Sequence, residues 1–361
     1  MDSGGARVGS DVRVRRIEVG GMERTFLLAP GPSPEAPLLM VLHGTGTNGK
    51  GMAAFTGLAR RGPAAGFATV FPDGLGEVWD RGRPLVGRES ISDTDFLQAL
   101  VGRLVSEGVA RAGALWLAGM SNGAFFVEYL ARRGLLCVCG IALVAGAATR
   151  GSQAGGPPSQ AAAVLMFQGS ADPVVPYGGG LIGSKGPFGE RLSRLAAERG
   201  EEGGERVAVP AEEVAREWAG VVGVGVCGAT AGGVCGTTAG GVVGATAGGV
   251  GGATAGGVGG ATAGGVGGAT AGGVGGAVSG ALSGGWAAPV VLHLPVAAGE
   301  LPVTRMDWSV ESGPPVVLYR IEGGGHTWPG GPQYLPVDAI GPVARGLDAT
   351  GILLDMARST A

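Results

Sequence analysis

Gly119-Met120-Ser121-Asn122-Gly123 is the only G-x-S-x-G in the chain. An apolar run, Ala114 to Ala118, precedes it, and an amphipathic run, Ala124 to Arg133, follows it. Strand, sharp turn, helix is the order that carries a serine on a strained elbow with its hydroxyl clear of the sheet edge. Both glycines have a mechanical reason. The turn leaves no room for a Cβ beside the serine, and strand and helix must pass close together. With 77 glycines in the chain the five-residue pattern alone is a weak signal, and the flanking strand and helix supply the context it requires.

A serine hydroxyl is a poor nucleophile at neutral pH and needs a base within hydrogen-bond reach. The chain has three histidines. His293 lies in Val290-Val291-Leu292-His293-Leu294, a packed or surface setting. His43 opens a glycine-rich loop and reads as structural. His326 follows an apolar strand in a glycine-rich, flexible loop. Where a serine sits on such an elbow the partners follow as acid and then histidine along the chain, an order that His326 fits and His43 does not. The acid then lies between Ser121 and His326. Asp172, at the end of the apolar run Ala163 to Phe167, fits best; its bland alternative is an Asp-Pro turn. The glutamates at 201, 202, 205, 212 and 213 read as a solvated face. An oxyanion hole would take the main-chain N–H of Asn122 and one from the loop after Leu42, at Thr45.

These residues need a frame that brings distant loops together. Arg13 to Val19 and Arg24 to Ala29 read as strands joined through Gly20-Gly21. Leu38 to Leu42, Ala68 to Phe71, Gly140 to Val144, Ala163 to Phe167 and Val316 to Ile321 are apolar runs of strand length. Helices are expected over Gly51 to Arg61, Ser92 to Glu107, Val209 to Ala219 and Asp348 to Arg358, with Ala148 to Ala161 as loop. Strands alternating with helices argue an α/β fold with a mainly parallel sheet and helices on both faces. Chemistry then sits at the carboxyl ends of the strands, after Leu42, Ala118, Phe167 and Ile321.

Composition narrows the class. The chain has 361 residues, 15% of them charged, and a formal net charge of −3. That balance offers nothing to nucleic acid or to an anionic membrane surface. No uncharged run has the large apolar side chains of a spanning helix. The first residues lack the apolar core of a secretory signal, which points to the cytoplasm. The four cysteines suggest no disulfide framework, with Cys137 and Cys139 as buried filler. From Gly225 to Gly280 an eight-residue unit, Gly-Val-Gly-Gly-Ala-Thr-Ala-Gly, recurs with variants. Without charge or large apolar groups it cannot offset its ordering cost, so a flexible loop is expected. The domain reading is a tail over 1–11, a first part of the catalytic domain over 12–222, the repeat insertion over 223–285 and a second part over 286–361.

Six motifs occur in order: Leu42-His43-Gly44, Pro72-Asp73-Gly74, Asp93-Thr94-Asp95-Phe96, the elbow, Gly169 to Tyr177, and Gly323-Gly324-Gly325-His326-Thr327-Trp328-Pro329-Gly330-Gly331. In these the chain resembles the esterase family of polyhydroxybutyrate depolymerases and feruloyl or acetylxylan esterases, over about residues 12 to 222 and 286 to 358. The resemblance implies an α/β-hydrolase fold with nucleophile, acid and base at Ser121, Asp172 and His326, the same residues the order argument selects. It implies a serine carboxylesterase acting on short hydroxyalkanoate esters or on feruloyl and acetyl polysaccharide esters, with no metal or other cofactor. Tyr177 and Trp328 become candidates for lining a substrate pocket, with ordinary packing as the equal alternative. The expected partner is a small or oligomeric ester. Family members are commonly exported, which makes secretion the alternative location. A peptidase or thioesterase on the same fold, or a non-catalytic protein displaying the repeat, are the competing functional readings.

Overall fold

A computed structural model describes residues 12–83, 92–198, 200, 203–221, 288–308 and 313–361. The tail over 1–11 and the repeat over 223–285 lie outside the described residues.

Among the described residues the apolar runs form a ten-stranded sheet. In chain order its strands are β1 (Arg13–Val19), β2 (Met22–Ala29), β3 (Ala36–Leu42), β4 (Ala68–Pro72), β5 (Ala110–Met120), β6 (Gly140–Val144) and β7 (Ala163–Gly169). A two-stranded ribbon of β8 (Gly180–Leu181) and β9 (Val207–Ala208) lies apart, and β10 (Val290–Leu294), β11 (Val303–Trp308) and β12 (Val316–Ile321) complete the large sheet. The spatial order is β1-β2-β4-β3-β5-β6-β7-β12-β11-β10. From β4 to β12 all neighbours are parallel; β1, β2, β11 and β10 run antiparallel at the edges. The crossover at β3 and β4, with β5 central, is the α/β-hydrolase arrangement implied by the sequence.

Alternate residues of the central strands feed two cores. Leu38, Met40 and Leu42 of β3 enter one, with Phe96 and Leu100 of α3 (Asp93–Ser106) and Phe126 and Leu130 of α4 (Asn122–Arg132). Leu39 and Val41 enter the other, with Met52 of α1 (Gly49–Thr56), Leu58 of α2 (Leu58–Ala64) and Leu353 of the closing helix Ala349–Thr360. Burial on both faces explains why these strands read as continuous apolar runs. α3 starts where Ser92 Oγ accepts the Asp95 N–H at 3.0 Å, with Asp93 and Asp95 in its first turn.

Several elements differ from the reading of the sequence. The helix expected over Gly51 to Arg61 is two helices, broken at Gly57 in the left-handed region. The loop expected over Ala148 to Ala161 contains a short helix, α5 (Arg150–Gln153), closed by a Thr149–Ser152 capping box. Helix α6 (Gly186–Glu198) and strands β10 and β11 were not anticipated. α7 (Ala211–Ala219) begins after Pro210, two residues later than expected. Cys137 is disulfide-bonded, contrary to its reading as filler, whereas Cys139 is a free thiol.

Candidate active site

Ser121 occupies the hinge between β5 and α4 at φ 56° and ψ −121°. A non-glycine residue there costs about 1–3 kcal/mol, so neighbours must hold it. A Cβ on Gly119 would come within 2.4 Å of the Gly123 carbonyl oxygen, and one on Gly123 within 2.5 Å of the Leu42 and His43 carbonyl oxygens. Strand, helix and the end of β3 therefore close on one another only through these glycines. Ser121 also sits at the N-terminus of α4, where the partial positive charge of the helix favours a developing anion.

Asp172 and His326 approach across 154 residues of sequence. His326 Nδ1–H donates to Asp172 Oδ2 at 2.8 Å. Asp172 Oδ1 accepts the main-chain N–H groups of Val174 and Val175 at 2.7 and 2.9 Å. The carboxylate is thus fixed from both oxygens, and the bond leaves Nε2 of the imidazole as the acceptor. Both side chains are buried. The loop around His326 is not flexible as expected from its glycines. Its main-chain N–H donates to Ile340 O at 2.6 Å, Gly325 N–H to Pro342 O at 3.0 Å, and Tyr334 Oη to His326 O at 3.0 Å. A Cβ on Gly325 would lie 2.1 Å from the Ile340 carbonyl oxygen, so glycine here serves close packing.

His326 and Ser121 line one cavity of about 400 Å³. Gly44, Thr45 and Gly46 line it beside Ser121, and Met52, Phe55, Phe188, Leu192, Leu195 and Tyr334 give it a mostly apolar lining, with Arg191 as its charged group. The Phe55 and Tyr334 rings meet edge to face at 5.3 Å. A second, smaller cavity of about 60 Å³ opens on the other side of Ser121, lined by Thr45, Asn122, Phe125, Ser193, Arg81 and Arg206 among others. Thr45 and Asn122, the two expected oxyanion donors, therefore both flank Ser121.

His43 is fully buried and shapes the loop. Its Nε2 accepts the Gly74 N–H at 2.9 Å, so the proton sits on Nδ1, which donates to Gly44 O at 2.8 Å. Burial pushes its pKa below the usual value and keeps the ring neutral. Trp79 braces the same region: its indole N–H donates to His43 O at 2.9 Å and its main-chain N–H to Asn122 Oδ1 at 2.8 Å. Sequence reasoning missed Trp79, whose neighbours carry no periodic signal. It also missed Phe188, Leu192 and Leu195, although their spacing along α6 is helical.

The other two aromatic candidates lie elsewhere, and packing is the better account of both. Tyr177 Oη donates to Glu212 Oε1 at 2.9 Å, and its ring lies under Arg320 at 5.0 Å. Trp328 is buried in the second core and donates from its indole to Thr350 Oγ1 at 3.0 Å. Neither lines either cavity. His293 is exposed on the edge strand β10, with Nδ1 3.2 Å from Thr304 Oγ1. Among the described residues no cluster of His, Cys, Asp and Glu could hold a metal, and no helix is long and apolar enough to cross a membrane.

No family model matches the chain. Over 181 residues it is 29% identical to NocK of Nocardia uniformis subsp. tsuyamanensis, an esterase by provisional assignment, a stretch covering 46% of this chain and 50% of NocK. The chain thus spans about half the length of this curated relative. Solved structures that match in part include the S-formylglutathione hydrolase FrmB of Staphylococcus aureus, at 12% identity over 45% of this chain and 80% of that one, with a TM-score of 0.37. Another is an acetyl xylan esterase from Aspergillus awamori, at 13% identity over 44% of this chain and 73% of that one, also with a TM-score of 0.37.

Proposed function

We propose that the chain is a serine ester hydrolase. The observation that carries this reading is the buried His326–Asp172 pair, 2.8 Å apart, whose imidazole shares a cavity wall with Ser121. In this scheme His326 Nε2 takes the proton from Ser121 Oγ as the oxygen attacks the ester carbonyl. Asp172 holds the imidazole in the tautomer with Nδ1 protonated and stabilises the imidazolium that forms. The main-chain N–H groups of Asn122 and Thr45 receive the charge on the tetrahedral oxygen. His326 returns the proton to the departing alkoxide, and water then resolves the acyl-enzyme by the same route. The scheme calls on no metal or cofactor.

The substrates proposed are short hydroxyalkanoate esters and acetyl or feruloyl esters, in line with the motifs; the partial match to NocK supports ester hydrolysis in general. Purified protein offered hydroxybutyrate oligomers, methyl ferulate and aryl acetates should hydrolyse at least one class and take a fluorophosphonate label on Ser121. Absence of both turnover and label would remove the reading.

A further inference from the structure

We propose that Tyr334 positions the base: from the wall of the substrate cavity, its hydroxyl bonds the main-chain carbonyl of His326 and holds the imidazole at the angle that proton transfer needs. This rests on the ester-hydrolase reading above.

Proton transfer asks more of His326 than the right tautomer. Its Nε2 must keep its direction towards Ser121 Oγ while the ring gains and loses charge. Asp172 ties the ring only at Nδ1, at 2.8 Å, and a ring tied at one atom can still tilt about that bond. The rest of the constraint has to come from the His326 main chain, which follows Gly323, Gly324 and Gly325. Two bonds fix that peptide. The N–H donates to Ile340 O at 2.6 Å, and the carbonyl accepts the Tyr334 hydroxyl at 3.0 Å. The first is a main-chain bond; the second depends on a single side chain.

Tyr334 is itself held. The neighbouring Gln333 amide donates to Leu335 O and Gly341 O, each at 2.9 Å, and its oxygen accepts the Val343 N–H at 3.0 Å. The segment that carries Tyr334 is thereby closed on itself. The ring meets Phe55 edge to face at 5.3 Å. Burial first, and the Asp172 charge second, push the Tyr334 phenol pKa up. The hydroxyl therefore keeps its proton, and goes on donating, throughout the range in which a histidine base works. Tyr334 is nevertheless 40% exposed, because its side chain lines the large cavity with Ser121 and His326. An ester that fills this cavity meets the same ring whose hydroxyl holds the base.

Tyr334→Phe deletes the hydroxyl and keeps the ring. With 4-nitrophenyl acetate and butyrate we expect kcat to fall about five- to twentyfold and KM to stay within about twofold, since a misplaced base acts on the transition state and not on substrate binding. The rate constant for labelling of Ser121 by a small fluorophosphonate should fall by a similar factor, because the probe calls on the same base. Turnover is counted per labelled serine, so a partly unfolded preparation does not imitate the effect. Tyr334→Leu, which also removes the ring, should lose as much kcat and raise KM as well. An unchanged kcat in Tyr334→Phe, or a fall matched by an equal rise in KM, overturns the positioning role with ester hydrolysis intact. An unchanged KM in Tyr334→Leu removes the ring from the substrate wall. Absence of turnover and label in the wild type overturns the hydrolase reading itself.

Discussion

Asn122 accepts the Trp79 main-chain N–H on its side-chain oxygen at 2.8 Å, and the Trp79 indole grips the His43 carbonyl at 2.9 Å. One residue therefore ties the elbow to the loop that faces it, the two pieces expected to supply oxyanion donors. Trp79→Phe keeps a ring against Phe126, 5.6 Å away, while it deletes the indole donor and shrinks the ring packed on His43. We expect kcat to fall roughly tenfold with KM within about twofold, since small misplacements of donors act on the transition state. Steady-state kinetics on an aryl acetate, beside a melting curve, would check it. An unchanged kcat would remove Trp79 from the positioning of the donors.

Ser121→Ala should lose at least about 1,000-fold in turnover, since residues acting as one unit fail together. It should also lose all fluorophosphonate labelling while keeping its far-ultraviolet circular dichroism. Retention of a few per cent of activity would reassign the nucleophile.

Asp172→Asn replaces one of two accepting oxygens with a donor. Both oxygens are committed, one to two main-chain N–H groups and one to His326. A fall in kcat of about 10,000-fold is expected, because the imidazole is turned to the wrong tautomer. His326→Ala should be equally severe. His293→Ala, on an exposed edge strand, should leave turnover unchanged; if it is as damaging as His326→Ala, the base has been misassigned.

The Asp80–Asp93 pair predicts a pH effect of unusual sign. Asp80 accepts the N–H groups of Asp93 and Gly82 at 2.7 and 2.8 Å, and Asp93 accepts that of Asp80 at 2.9 Å and pairs with Arg24. Burial first, and the Asp93 charge second, push the Asp80 pKa up to about 6. A carboxyl raised in the folded chain takes up a proton there before it does so unfolded. Its contribution to stability therefore improves as pH falls from about 6 towards 4, opposite to a salt-bridged carboxylate. Between pH 7 and 5 the wild type should gain on the order of 1 kcal/mol relative to Asp80→Asn. Parallel denaturant titrations at the two pH values would measure this, and a constant difference would refute the shift.

The central strands were legible because burial on both faces writes them as apolar runs, and α3 because its cap, acidic first turn and helical spacing agree. The Asp172–His326 contact followed from chain order. β10 was hidden because Val290, Val291 and Leu292 lie exposed at the sheet edge, and β11 because its buried Val303, Met306 and Trp308 do not keep a strict alternation. α6 was obscured by its Gly186-Pro187 start, although Phe188, Leu192 and Leu195 hold helical register. Trp79 could not be found from sequence, since its partners lie 36 and 43 residues away and arise only from the tertiary fold.

The backbone of Ser121, at φ 56°, sets the interests of folding against those of chemistry. Glycine accepts that conformation without a Cβ penalty. Ser121→Gly should therefore be the more stable protein, by about 1 kcal/mol as read in denaturant unfolding. A lineage released from the need for catalysis would find the loss of its nucleophile favourable as well as harmless. An intact serine at this position is thus a residue that stability alone would discard.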